Sequence, residues 1–117
     1  MCGIFGIVKL NEKVAVDESA FKSALSTINH RGPDHQGYYA DSQFTFGHAR
    51  LSILDLDPRS NQPMLLEDGQ YALTFNGEIY NFHDIRKELA QEGVSFKTES
   101  DTEIILLGYR AWGIEKF

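Results

Sequence analysis

Segments with strand character are gathered along this chain, and stretches with helical spacing flank them. Residues 3–10 (GIFGIVKL) are apolar, rich in β-branched types, and read as a strand. Segments 37–40, 43–49 and 51–55 read as short strands, and 70–76 (QYALTFN) as another, ending in the turn-prone Asn76-Gly77. Phe21, Leu25 and Ile28 fall on one face at helical spacing, which predicts an amphipathic helix over 18–29. Asp17 is its expected N-cap, with Val16 and Phe21 as a hydrophobic staple. "HRGPDHQG" ends it through Gly32, Pro33 and Asp34, and "DLDPRSNQPM" reads as loop. A second helix is predicted over 82–92, capped by Asn81, with Ile85 and Leu89 facing inward. Ser100-Asp101-Thr102-Glu103 matches a capping box before the apolar run 104–107, and the helix it opens is apolar on most sides and so expected to be buried. Grouped strands with flanking helices predict an α+β fold of packed layers.

The chain has 117 residues, enough for one domain or part of one and for a real hydrophobic core. Its 42% hydrophobic and 24% charged content is that of a globular protein. A net charge of −6, with no cluster of Lys and Arg, argues against a nucleic-acid partner. One cysteine cannot form an internal disulfide, so nothing points to an oxidising compartment. No basic segment precedes the first apolar run, which is too short to span a bilayer, so no membrane partner is expected and a cytoplasmic location is the default. The final "AWGIEKF" brings neither a C-cap nor a terminal strand, which reads as part of something longer.

That one cysteine is Cys2. Its bland reading is a small buried hydrophobe beside a strand. Its sharper reading begins with loss of Met1, which leaves one residue carrying both a thiol and a free α-amine. An unperturbed α-amine titrates at about 8, so near neutral pH it can take the proton of its own nucleophile. The competing arrangement pairs Cys2 with His30, His35, His48 or His83, and no spacing favours any of them. There is no CxxC and no HExxH, so no metal site is expected.

Asn76-Gly77 is ordinarily a type I′ turn. Following an apolar strand, the Asn76 amide and the Gly77 N–H can instead both aim at one developing negative oxygen. Arg50 lies between two apolar segments. On a surface its ion pairs would contribute little, but a guanidinium grips a carboxylate with two parallel hydrogen bonds. Asp101 begins a helix, where an acid is favoured by the helix dipole in any case. It can also accept from a ligand ammonium, so that Arg50 and Asp101 would clamp the two charged ends of an amino acid.

In order, "MCGIFGI", "HRGPD", "GHARLSILDL", "NQPM", "FNGEIYN" and "SDTE" resemble the glutamine-hydrolysing asparagine synthetases. More broadly they resemble the class II glutamine amidotransferases, among the N-terminal nucleophile hydrolases. "RLSILD", "FNGEIYN" and "SDTE" are more similar to the asparagine synthetase branch than to the glucosamine-phosphate or phosphoribosyl-pyrophosphate branches. The resemblance implies an α/β/β/α sandwich of two antiparallel sheets, incomplete at the C-terminus, with residues 1–117 forming the N-terminal portion of a glutaminase domain. It implies that Cys2 attacks the glutamine side-chain amide, that Asn76 and Gly77 form the oxyanion hole, and that Arg50 holds the α-carboxylate. Backbone groups of Leu51, Ser52, Ile53 and Leu54 would line the pocket, Glu78 and Asp101 would bind the amino group, and "HRGPD" would be a structural loop nearby. The ammonia would serve ATP-dependent amidation of aspartate, or a related carboxylate, by a synthetase domain absent from this sequence. ATP and magnesium are expected only there, and no cofactor in this segment. Glutamine and that domain are the implied partners, and a homodimer is compatible with the reading. The alternative is a truncated, non-catalytic module that binds glutamine or a partner without turnover.

Overall fold

The computed structural model describes residues 1–11, 13–53 and 55–116. They form an α+β protein in two compact units, Met1–Ser52 with Asn61–Pro63 and Thr74–Gly77, and Ile53–Ser60 with Met64–Leu73 and Glu78–Phe117.

In the first unit, β1 (Gly3–Val8), β2 (His35–Ala40) and β3 (Phe44–Arg50) make an antiparallel sheet in the order β1-β3-β2. Gly3 pairs with Ala49, and His35 with Arg50. Side chains alternate between the two faces of a sheet. One face therefore carries Phe5, Tyr38 and Thr45, and α1 (Glu18–Ser26) covers it with the fully buried Phe21 and Leu25. The Phe21 ring stands 4.8 Å from Phe5 and 5.4 Å from Tyr38. The opposite face carries Ile4, His48, Arg50 and His35. Asp17 caps α1 as expected, its Oδ1 accepting from the Ala20 N–H at 2.6 Å. The helix stops at Ser26, short of the expected 29. The Thr27 hydroxyl and N–H both turn back onto the Ala24 carbonyl, and residues Asn29–Arg31 tighten into a 3₁₀ turn.

In the second unit, β4 (Met64–Leu65) and β5 (Ala72–Leu73) form a two-stranded ribbon, and α2 (Phe82–Gln91) and α3 (Asp101–Lys116) pack together. Leu89 and Ile104 are fully buried there. Residues Asp101, Thr102, Glu103, Ile104, Leu106, Leu107 and Gly108 are all buried, as the apolar run predicts. The backbone leaves helical geometry at Gly113 (φ 71°, ψ 179°).

Four local expectations are corrected. The strand expected over 51–55 is absent among the described residues: Leu51 and Ser52 give their N–H groups to the side chains of Cys2 and Asp34, and Asp55 has φ 44°. The strand over 70–76 shrinks to Ala72–Leu73, because the Gln70 and Phe75 N–H groups bond to the side chains of Asp68 and Gln62. Part of "DLDPRSNQPM" is ordered, as a 3₁₀ turn at Pro58–Ser60 and the β4 residue Met64. Asn81 stands at the start of α2 without a side-chain cap, and its carbonyl accepts from Asp84 and Ile85 instead.

Candidate active site

The thiol of Cys2 lies just before β1, and Leu51 just after β3. The Leu51 N–H points at Cys2 Sγ from 3.3 Å, and the Leu51 carbonyl lies 3.6 Å from the same sulfur. No imidazole hydrogen-bonds this sulfur among the described residues. His30 meets the Thr27 carbonyl, His83 stacks at 3.9 Å from Phe82, and His48 meets the Phe75 carbonyl. The Cys–His arrangements left open by spacing thus gain no support.

The "HRGPD" loop braces this end of the sheet. Arg31 Nε donates to the Cys2 carbonyl at 3.1 Å. Asp34 accepts from the Ser52 N–H at 2.7 Å and gives its own N–H to the Arg50 carbonyl at 3.0 Å. Gly32 lies so close to β3 that a Cβ there would stand 2.1 Å from the Ala49 carbonyl oxygen, which only glycine tolerates. The loop therefore holds Cys2 at one side and residues 50–52 at the other.

Arg50 is buried, and its Nη1 donates to Asn61 Oδ1 at 2.6 Å. Its neighbour on the same face, His48, has no solvent exposure. Burial pushes the His48 imidazole down to about 4; Arg50 and His35 act in the same direction, and the Phe75 carbonyl opposes them. His48 Nε2 lies 3.2 Å from that carbonyl, and Gln62 Oε1 accepts the Phe75 N–H at 2.6 Å.

Asn76 and Gly77 follow at once in sequence and are exposed. Gly77 is not among the positive-φ glycines, and Asn76 also keeps negative φ. A type I′ turn needs positive φ at both central residues. The hairpin reading of this pair is therefore overturned.

Of the expected site residues, Cys2, Arg50, Leu51, Ser52, Asn76 and Gly77 belong to the first unit, and Ile53, Glu78 and Asp101 to the second. Within the second unit Asp101 is buried, and its Oδ2 accepts from the Ile79 N–H at 3.1 Å, beside Glu78 in sequence. Glu78 itself is exposed. Leu54 lies outside the described residues. Sequence reasoning assigned no individual role to Arg31, Asp34, Asn61 or Gln62, although two of the quoted motifs, "HRGPD" and "NQPM", contain them. Among the described residues no three His, Cys, Asp or Glu side chains gather as a metal site. No described helix is long and apolar enough to cross a membrane.

The sequence matches the family of the glutamine amidotransferase domain over residues 1–117. It is 43% identical over 112 residues to glutamine-hydrolyzing asparagine synthetase 1 of Bacillus subtilis, covering 94% of this chain and 18% of that protein. It is 42% identical over 114 residues to a probable asparagine synthetase of Dictyostelium discoideum and 41% over 117 residues to one of Schizosaccharomyces pombe. Each of those matches covers 97% of this chain and 20% of the relative, so the chain spans about a fifth of their length. With the whole sequence matched, this chain belongs to the glutamine amidotransferase domain family.

Proposed function

We propose that this chain hydrolyses glutamine to glutamate and ammonia with Cys2 as an N-terminal nucleophile. The observation that carries the reading is the Leu51 N–H directed at Cys2 Sγ, in a family of glutamine amidotransferase domains. Met1 is largely exposed, which suits its removal. The freed α-amine of Cys2 takes the thiol proton, and the sulfur attacks the amide carbon of glutamine. The Asn76 amide and the Gly77 N–H stabilise the oxyanion, Arg50 holds the substrate α-carboxylate, and backbone groups of residues 51–53 line the pocket. Glu78 and Asp101 supply carboxylates for the amino group. The amine returns the proton to the departing ammonia, leaving a γ-glutamyl thioester that water opens to glutamate. The fold is read as the N-terminal part of the α/β/β/α sandwich of N-terminal nucleophile hydrolases. The relatives are named asparagine synthetases, so the ammonia is assigned to ATP-dependent amidation of aspartate or a related carboxylate by a synthetase region of the parent protein. ATP and magnesium belong to that region.

The test is an intact mass of the chain before and after exposure to a glutamine analogue bearing an electrophilic diazoketone. Loss of Met1 and one covalent adduct, absent in Cys2→Ala, is the expected result, and the same substitution should end glutamate release. A retained Met1, or a processed chain that never reacts, overturns the catalytic reading and leaves a non-catalytic binding module.

A further inference from the structure

Phe75, the residue before Asn76, has both of its main-chain polar groups taken by side chains. His48 Nε2 meets its carbonyl at 3.2 Å, and Gln62 Oε1 accepts its N–H at 2.6 Å. His48 is fully buried and Gln62 nearly so. Burying an imidazole and an amide is costly unless they are used. Both are fixed over one rung of the sheet. His48 is the register partner of Gly37, and Gly37 lies so close to the Gln62 main chain that a Cβ there would overlap the Gln62 carbonyl oxygen at 1.6 Å. The Asn61 bond to Arg50 ties the same segment to β3. The Phe75 ring in turn closes over Gly77: a Cβ on Gly77 would stand 2.7 Å from the ring's Cζ. A shift of the Phe75 peptide therefore moves Gly77 directly.

We propose that His48 and Gln62 are positioning residues that pin the Phe75 peptide from both sides and so aim the Asn76 amide and the Gly77 N–H at the oxyanion. The proposal rests on the oxyanion-hole reading above. To donate to a carbonyl, His48 needs a proton on Nε2. Its Nδ1 is buried without a hydrogen-bond partner among the described residues, so the Phe75 carbonyl is the contact that uses this ring.

The test compares His48→Leu, which removes the donor, with His48→Gln, which places an amide N–H near the Nε2 position. Gln62→Leu repeats the test from the other side. Three quantities are measured for each: kcat and KM for glutamine hydrolysis, dissociation constants for glutamate, and dissociation constants for a glutamate γ-semialdehyde. The aldehyde adds the Cys2 thiol across its carbonyl to form a thiohemiacetal, with the carbonyl oxygen where the oxyanion would be. The number of sites reacting with the diazoketone normalises every variant for its folded fraction. Losing an oxyanion donor outright typically costs about 10²–10³ in kcat, so misaiming the donors should cost roughly 10–100-fold. His48→Leu and Gln62→Leu should lose that factor in kcat and in aldehyde affinity while glutamate affinity and KM stay within about threefold, and His48→Gln should recover most of it.

Normalised kcat and aldehyde affinity that do not change in His48→Leu overturn the inference and leave the oxyanion reading standing. So does a loss in which glutamate affinity falls in proportion. Should His48→Leu not fold, Gln62→Leu alone decides between the same outcomes. A wild-type chain that releases no glutamate overturns both the inference and the reading beneath it.

Discussion

Arg50 is a buried guanidinium at the last position of β3, next to the Leu51 N–H that faces Cys2. A planar fork can hold a carboxylate through two parallel bonds, whereas an ammonium acts as a point charge. Arg50→Lys keeps the charge and loses the fork and the bond to Asn61. A charge-assisted hydrogen bond contributes roughly 1.5–3 kcal/mol, so KM for glutamine should rise by about 10–100-fold while kcat changes much less. Steady-state kinetics decide this; a loss confined to kcat would place Arg50 away from the α-carboxylate. Cys2 and Arg50 stood out in sequence as candidates because their chemistry is unusual at their positions: a sole thiol at residue 2, and a cation between apolar segments. His48 and Gln62 did not. One was a histidine among four and the other a glutamine in an apparent loop, and both acquire meaning only where Phe75, 27 and 13 residues away, crosses them.

At the scale of the element, "SDTE" marked the start of α3 correctly, but the bonding differs from the reciprocal box it suggested. Ser100 Oγ accepts from the Thr102 N–H at 3.1 Å, as a cap should. Glu103 does not return to the Ser100 N–H. Its carboxylate reaches further upstream, to the Lys97 N–H at 2.8 Å and to both the N–H and the hydroxyl of Thr98 at 2.7 Å. The Ser100 N–H takes the Thr98 hydroxyl oxygen instead, at 3.2 Å. A local pattern fixes where a helix begins, since a cap needs only its own first turn. It cannot show that the preceding chain folds back within reach of the N3 carboxylate. Glu103 thus staples residues 97 and 98 to the helix, and removing it strands three donors near a buried site. Glu103→Ala should cost about 2–3 kcal/mol of unfolding free energy, at the level of lost charge-assisted bonds, against about 1 kcal/mol for Ser100→Ala as an ordinary cap deletion. Urea unfolding of the two variants checks the order. Equal costs, or a larger cost for Ser100→Ala, would return α3 to a simple cap. The strand expected over 51–55 but absent among the described residues has the same physical origin: its apolar residues signalled a ladder, while the Leu51 and Ser52 N–H groups had side-chain acceptors elsewhere in the fold.

For the molecule as a whole, the buried histidine ties stability to pH. The groups around His48 that carry or acquire charge are Arg50 on its own strand and His35 on β2. Ile4, its partner on β1, and residues 61–63 and 74–77 bring no titratable side chain. An imidazole held at about 4 in the folded chain, against an ordinary 6.5, binds its proton more readily once unfolded. Between those two values the unfolded state therefore carries more protons than the native state, and stability must fall as pH falls. The contribution is complete above pH 6.5 and is lost progressively on the way down to about 4. His48→Gln removes this one imidazole and leaves every other ionisable residue in place, so the difference between the urea midpoints of wild type and variant follows this site. That difference should shift steadily in the variant's favour from pH 7 to pH 4.5. Parallel midpoints across the range would mean that His48 protonates freely in the folded chain. The same window bears on catalysis, because burial, against the opposing pull of the Phe75 carbonyl, is what keeps the ring neutral. Acid that charges His48 works against the burial of the ring that orders residues 75–77, so between pH 6.5 and about 4 the wild type should lose glutamine hydrolysis more steeply than His48→Gln does. In His48→Gln that extra steepness should be absent, leaving only the dependence shared by both proteins, to which the proposed α-amine base would contribute; equal steepness in the two would separate His48 from the acid loss of activity.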